Sequence, residues 1–174
     1  MRTASQDAWG NSSSAVGSVL VANFFSMYGG TGLVVGGTNT MTFTASSDVF
    51  EYLPSAGPPG SLTFDVLNPL TTSAGELGGQ VLALQLNVDF SATFGNSVAL
   101  GNLRICNFGA VPSLNGVTVG EFLASASWLL GGGGGSIGPA TATSVASLIN
   151  GAFADGTPST FAQNILVAAP SCAN

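Results

Sequence analysis

Lysine and histidine are missing altogether from these 174 residues, and arginine occurs only at Arg2 and Arg104. Without His, Lys, a thiol beside a base or a GxSxG elbow, the usual general bases and activated nucleophiles have no carrier. The sequence therefore reads as that of a non-enzyme, with no catalytic residue, cofactor or metal site. Eight acids against two bases leave a net charge of -6. That excludes nucleic acid as a partner, because phosphate-backbone binding needs clustered Lys and Arg. No apolar run reaches the eighteen residues of a membrane-spanning helix. The stretch Ala15 to Phe25 is apolar enough for a signal-peptide core. It has one upstream base and no small-residue cleavage site after it, so it reads as a folded helix.

Charge itself is scarce. Charged residues make up 6% of the chain, against roughly a quarter in an average soluble domain, and Gly, Ser, Thr, Asn and Ala take their place. Such a surface suits an extracellular protein, where disulfides persist. There are two cysteines, Cys106 and Cys172, and no CxxC spacing that would suggest zinc or thiol redox chemistry. A Cys106–Cys172 bridge is expected to tie the C-terminal tail to the middle of the chain, worth about 4 kcal/mol in the loop-entropy account.

What remains is patterned for one α+β domain, with four to five helices on a small, mainly antiparallel sheet; an all-β sandwich or jelly roll is the alternative. Residues 1–14 are small and polar apart from Trp9 and read as an extended N-terminal arm. Residues 15–174 form the globular domain, with segment 158–174 tied back. Val16, Leu20, Phe24 and Met27 mark an amphipathic helix over Ala15 to Tyr28 that Gly29 and Gly30 end. Leu33 to Val35 and Thr38 to Thr44 read as a hairpin across Gly36 and Gly37. A short helix follows from Ser46 to Leu53 and stops at Pro54, with Asp48 and Glu51 imitating a capping box, and then a strand over Ser61 to Leu67.

The longest apolar run, Gly79 to Phe94, fits a strand with period two and a helix with period 3.6. An S-x-x-E box at Ser73 and Glu76 precedes it and favours a buried central helix from Ala74 to about Ser91. Leu100 to Phe108 alternates as a strand. Thr118 and Glu121 then form a capping box, with Val117 and Phe122 in the staple positions. Phe122, Leu123, Ala126, Leu129 and Leu130 supply the buried face of that helix, which stops at Gly131. The run Gly131 to Gly135 lacks the Lys-Ser or Lys-Thr of a phosphate loop and reads as a flexible linker. Another helix follows with Val145, Leu148, Ile149, Ala152 and Phe153 on one side. The last segment, Thr160 to Ala168, reads as a strand or short helix.

Individual polar residues carry little chemistry. Asp48 and Glu51 are the only acids close together, and a helix start explains them better than a glycosidase pair. Asp89 reads as solvated on a polar helix face. Asn150 with Asp155 lacks the alternating oxygen ligands that calcium needs. Arg104 is expected to pair with an acid or cap a helix end.

The order of motifs, LVANFFSMYGG, TFTASSDVFEYLPSAGPPGSL, GQVLALQLNVDFS, LGNLRI, GVTVGEFLASASWLLGG and INGAFADGT, resembles a family of uncharacterised secreted bacterial surface proteins over residues 8–157. The resemblance implies secretion and a mixed helix and strand fold, and no activity. The leading expectation is a structural, self-assembling protein of the cell surface, the subunit of a filament joined by terminal-strand exchange, with itself as partner. The candidate contacts are Trp9 in the arm and Phe161, Ile165 and Val167 in the C-terminal segment. The alternative is a carbohydrate-binding or adhesion module with surface glycans as partners, whose stacking aromatics would be Trp9, Tyr28, Tyr52 and Trp128.

Overall fold

A computed structural model describes residues 1–168 and Cys172. These form one α+β unit, the class the pattern predicts, with seven helices where four to five are expected and two small sheets in place of one. In chain order they are α1 (Gln6–Trp9), α2 (Ala15–Tyr28), β1 (Leu33–Gly36), β2 (Thr40–Phe43), α3 (Ser46–Tyr52), β3 (Val66–Leu67) and α4 (Glu76–Asp89). There follow β4 (Leu103–Ile105), α5 (Val119–Leu130), α6 (Pro139–Asn150), α7 (Thr160–Ile165) and β5 (Leu166–Ala168). The first sheet has the order β1-β2-β3, with β1 antiparallel and β3 parallel to β2. The second pairs β4 with β5 antiparallel.

The run that fits two periods is a helix, and its surroundings explain why. Helix α4 packs against α1, α5, α6 and β1, and Leu77, Val81, Leu82, Leu84 and Leu86 are all fully buried. A helix apolar on every side belongs in a core. Its start differs from the expected box. Ser73 donates to the carbonyl of Ser61 at 2.9 Å, and the N-cap is Gly75 in the left-handed region (φ 54°). A Cβ on Gly75 would also lie 2.2 Å from the carbonyl oxygen of Pro58, so glycine meets both demands there. The adjacent glycines that count against a helix on propensity are close-approach points. A Cβ on Gly78 would reach the Tyr52 hydroxyl, and one on Gly79 the Gln6 side-chain oxygen, each at 2.1 Å.

Helix α5 follows its sequence signals closely. Thr118 accepts from the Glu121 amide, and the Glu121 carboxylate accepts from the Thr118 amide at 2.7 Å. The five residues of its expected face are buried. Its last carbonyls are taken by a neighbour: Leu62 N–H donates to Leu130 O at 2.7 Å and Ser61 Oγ to Leu129 O at 2.8 Å. This is why the strand expected from Ser61 shrinks to Val66–Leu67. The backbone there satisfies the end of a helix instead of a sheet ladder. The strand expected over Leu100 to Phe108 is likewise cut to three residues, between a 3-10 turn at Leu100–Asn102 and Asn107 at φ 56°.

At α3 the cap is also rearranged. Asp48 sits at the third helical position and accepts from the amides of Ala45 (2.8 Å) and Thr44 (3.1 Å). Glu51 takes no part in it. Gly131 to Gly135 is not a linker between separate bodies. The carbonyl of Gly131 accepts from the Asn39 amide at 2.9 Å, and a Cβ on Gly133 would lie 2.1 Å from the Trp128 indole nitrogen. The expected disulfide between Cys106 and Cys172 is formed, closing a separation of 66 residues. Of the tied-back segment 158–174, residues 169–171, 173 and 174 lie outside the described residues. No helix among the described residues is long and apolar enough to cross a membrane.

Candidate functional site

Residues 1–14 do not form an extended arm. Thr3 bridges Ala154, and its amide donates to Phe153 O at 3.1 Å. Ser5 caps α1. Trp9, expected at a contact surface, is fully buried, with its ring 5.6 Å from Phe90 and 5.9 Å from Phe94. Its indole N–H donates to Asn87 Oδ1 at 3.1 Å, which also accepts from the Ala4 amide at 2.8 Å. The Asn87 amide donates to Ala4 O and Asn150 Oδ1, and Asn150 donates to Gln80 O and Oε1 at 3.0 Å. Ser55 N–H meets Gln6 Oε1 at 3.1 Å. Four buried amide side chains, Gln6, Gln80, Asn87 and Asn150, thus tie the N-terminal segment into the core against α4 and α6. Of these only Asn150 was singled out from sequence, and then as a calcium ligand, although an Asn inside the otherwise apolar LQLNVDF was a readable anomaly.

The C-terminal candidates are partly engaged too. Phe161 is half-buried, edge-on to Phe108 at 5.6 Å, and Ile165 is half-buried. Val167 pairs with Arg104 in the ladder and remains partly exposed on β5. Arg104 forms no ion pair among the described residues, although its charge helps to lower the Glu121 carboxyl. Its guanidinium donates to the carbonyl of Gly116, and its Nε has no partner among the described residues. The accessible surface of 7565 Å² for a 17.2 kDa chain is close to the roughly 7,800 Å² expected of a compact monomer of that mass.

Asp89 is not simply solvated. The Tyr28 hydroxyl and the Gln85 amide donate to its two oxygens at 2.8 Å each. Burial pushes its carboxyl above the ordinary range, opposed by these two hydrogen bonds. Burial, and then the Asp89 charge, push the Tyr28 phenol up as well. The pair joins the end of α2 to the end of α4. Asp155 is exposed and faces Arg2 at 3.6 Å, the one ion pair among the described residues. Asn150 lies in the buried network instead of beside it. Among the described residues no three His, Cys, Asp or Glu side chains gather where a metal could sit.

Two kinds of surface remain. The first is apolar and open. On α2 the inner face, Val16, Leu20 and Phe24, is buried, while Val21, Phe25 (79% exposed) and Met27 face outward. On the outer face of the first sheet, Val34 and Leu67 (67% exposed) flank Thr42 in register, and Phe64 and Leu70 are exposed on the adjoining loops. The second is a groove of about 400 Å³ between α5, the loop at Ser113 and the glycine run, with Trp128 (50% exposed) at its side. Of the four aromatics expected to stack on sugars, Trp9 and Tyr52 are in the core and Tyr28 is half-buried against Asp89. Only Trp128 is open.

No family model matches the chain, and neither a curated protein nor a solved structure matches it.

Proposed function

We propose that this protein is a structural, self-associating component of the cell exterior, joined to its neighbours through exposed apolar faces. The observation that carries the reading is helix α2. It is apolar on both sides, and a helix of that kind is stable where both sides are covered. Here the domain covers one side and leaves Val21, Phe25 and Met27 open. The exposed side of the first sheet adds Val34 and Leu67. With few charges to keep such surfaces apart, contact with another copy removes them from water, and interface cores are similarly depleted in charge.

The disulfide supports an oxidising compartment, hence the cell surface or beyond. Exchange of terminal strands receives less support than contact between faces. The N-terminal segment is anchored by Trp9 and Thr3 inside its own domain, and β5 already pairs with β4. Negative-stain microscopy of native protein at micromolar concentration tests the reading. Filaments, sheets or discrete oligomers are the expected result. Fields of uniform monomers would overturn it.

A further inference from the structure

We infer that the groove beside Trp128 is a binding site for a neutral glycan chain, one hexopyranose ring of which stacks on the indole. This rests on observations separate from those behind self-association. The groove is lined by Ser113, Leu114, Ser125, Trp128, Ser136 and Ile137, among others, and no lining residue is ionisable. Its volume of about 400 Å³ falls within the roughly 300–1,000 Å³ of small-ligand sites. The α5 repeat brings Ala124, Ser125 and Trp128 to one face, three and four residues apart.

Trp128 is the chain's one exposed Trp, and it is held in place. Gly133 and Gly37 both pack against it so closely that neither could carry a side chain, with a Cβ at 2.1 Å and 2.9 Å respectively from the nearest Trp128 atom. A ring fixed in this way loses little freedom on binding. Ser125 donates to the carbonyl of Glu121 at 3.0 Å, and its oxygen can still accept. The hydroxyls of Ser113 and Ser136 and the Trp128 indole N–H have no hydrogen-bond partner among the described residues. An aromatic face beside free hydroxyls matches a pyranose. The weakly positive C–H bonds of its flat side meet the negative face of the π system, while its rim of hydroxyls gives and takes hydrogen bonds.

Charge narrows the class. The net charge of -6 disfavours uronic or sialic acids, and the lining offers an amino sugar no acid. A neutral hexose polymer fits best. An apolar peptide would bury the indole equally well and leave the free hydroxyls without partners, which costs affinity.

The test is calorimetric titration of the native protein with cellohexaose, mannohexaose, laminarihexaose, maltohexaose and N-acetylated chitohexaose, followed in parallel by Trp fluorescence. Trp9 is buried, so a change in emission reports Trp128. Binding of at least one of these sugars is expected. Trp128→Ala should weaken it by about tenfold or more, the scale of a lost aromatic contact, and Trp128→Phe by less. Ala124→Arg, at an exposed helical position, fills the groove without touching the core and should abolish the same binding. Failure of every sugar to bind at millimolar concentration overturns the assignment. So does sugar binding that survives both Trp128→Ala and Ala124→Arg, or binding of an apolar octapeptide alone.

Discussion

Asn87 is the residue on which the N-terminal third of the molecule turns, since its one side chain satisfies the Trp9 indole, both backbone groups of Ala4 and the amide oxygen of Asn150. A buried polar group left without a partner costs about 1–3 kcal/mol, and Asn87→Ala strands several at once. The variant should lose at least about 3 kcal/mol of stability, read by urea unfolding. A loss below about 1 kcal/mol would mean that water substitutes for the side chain. Asp89 gives a residue-scale prediction in pH. Its folded-state pKa is raised above 3.8 by burial, so its contribution is fully present below that pH and is lost as pH rises through the folded value. Glu121 has the opposite sign. The Thr118 amide holds its carboxyl below 4.5, and that contribution is present above 4.5 and lost as pH falls through the folded value. Asp89→Asn keeps the Glu121 trend and removes the other. Its urea midpoint should therefore gain on the wild type as pH rises from about 3 to 7, whereas parallel curves would count against the assignment. Residue-scale partners of this kind were the least legible part of the sequence. The Asn in LQLNVDF stood out as a polar residue in an apolar run, but its partners lie 63 to 83 positions away, beyond any local pattern.

Elements were far more legible, and the reasons are local. Helix α5 carried a box, a staple and a 3.6-residue stripe that agree, and the box and the stripe are present as read. Thr118→Ala should cost about 1 kcal/mol, measured by thermal unfolding, with no change in fold. For α4 the helical period prevails, but the cap that argued for it is not used, because Ser73 bonds to Ser61 and Gly75 takes the turn. The glycines that argued against it are there for contact. Gly79→Ala is the sharp test: propensity alone favours it by about 1 kcal/mol, yet the new methyl meets Gln6 and Ser55. It should destabilise by about 1–3 kcal/mol, the scale of overpacking, and a stabilised variant would show that the two segments can part. The strands expected at Ser61 and Leu100 came out short for one reason. β-propensity records side chains that suit a sheet, while the backbone amides were claimed by the end of α5 and by turns.

At the scale of the molecule, composition carried the bridge, and the hydrophobic pattern carried the α+β class. What neither could reveal was that residues 1–14 are folded in. A small polar segment looks the same to a composition argument whether free or bonded through its backbone, and residues 1–14 are held mostly by backbone and amide bonds. Reduction of Cys106–Cys172, or a Cys106→Ser, Cys172→Ser double variant, should cost about 2–5 kcal/mol given the long loop. The central claim, association through the outer face of α2, is tested most directly by sedimentation velocity over a concentration series, comparing the native protein with Phe25→Asp. Phe25 is 79% exposed, so the substitution spares the core. The account predicts species larger than 17.2 kDa that grow with concentration in the native protein and fall back to monomer in the variant, with unchanged thermal unfolding at low concentration. A native protein that stays monomeric throughout, or a variant that assembles just as well, would contradict it.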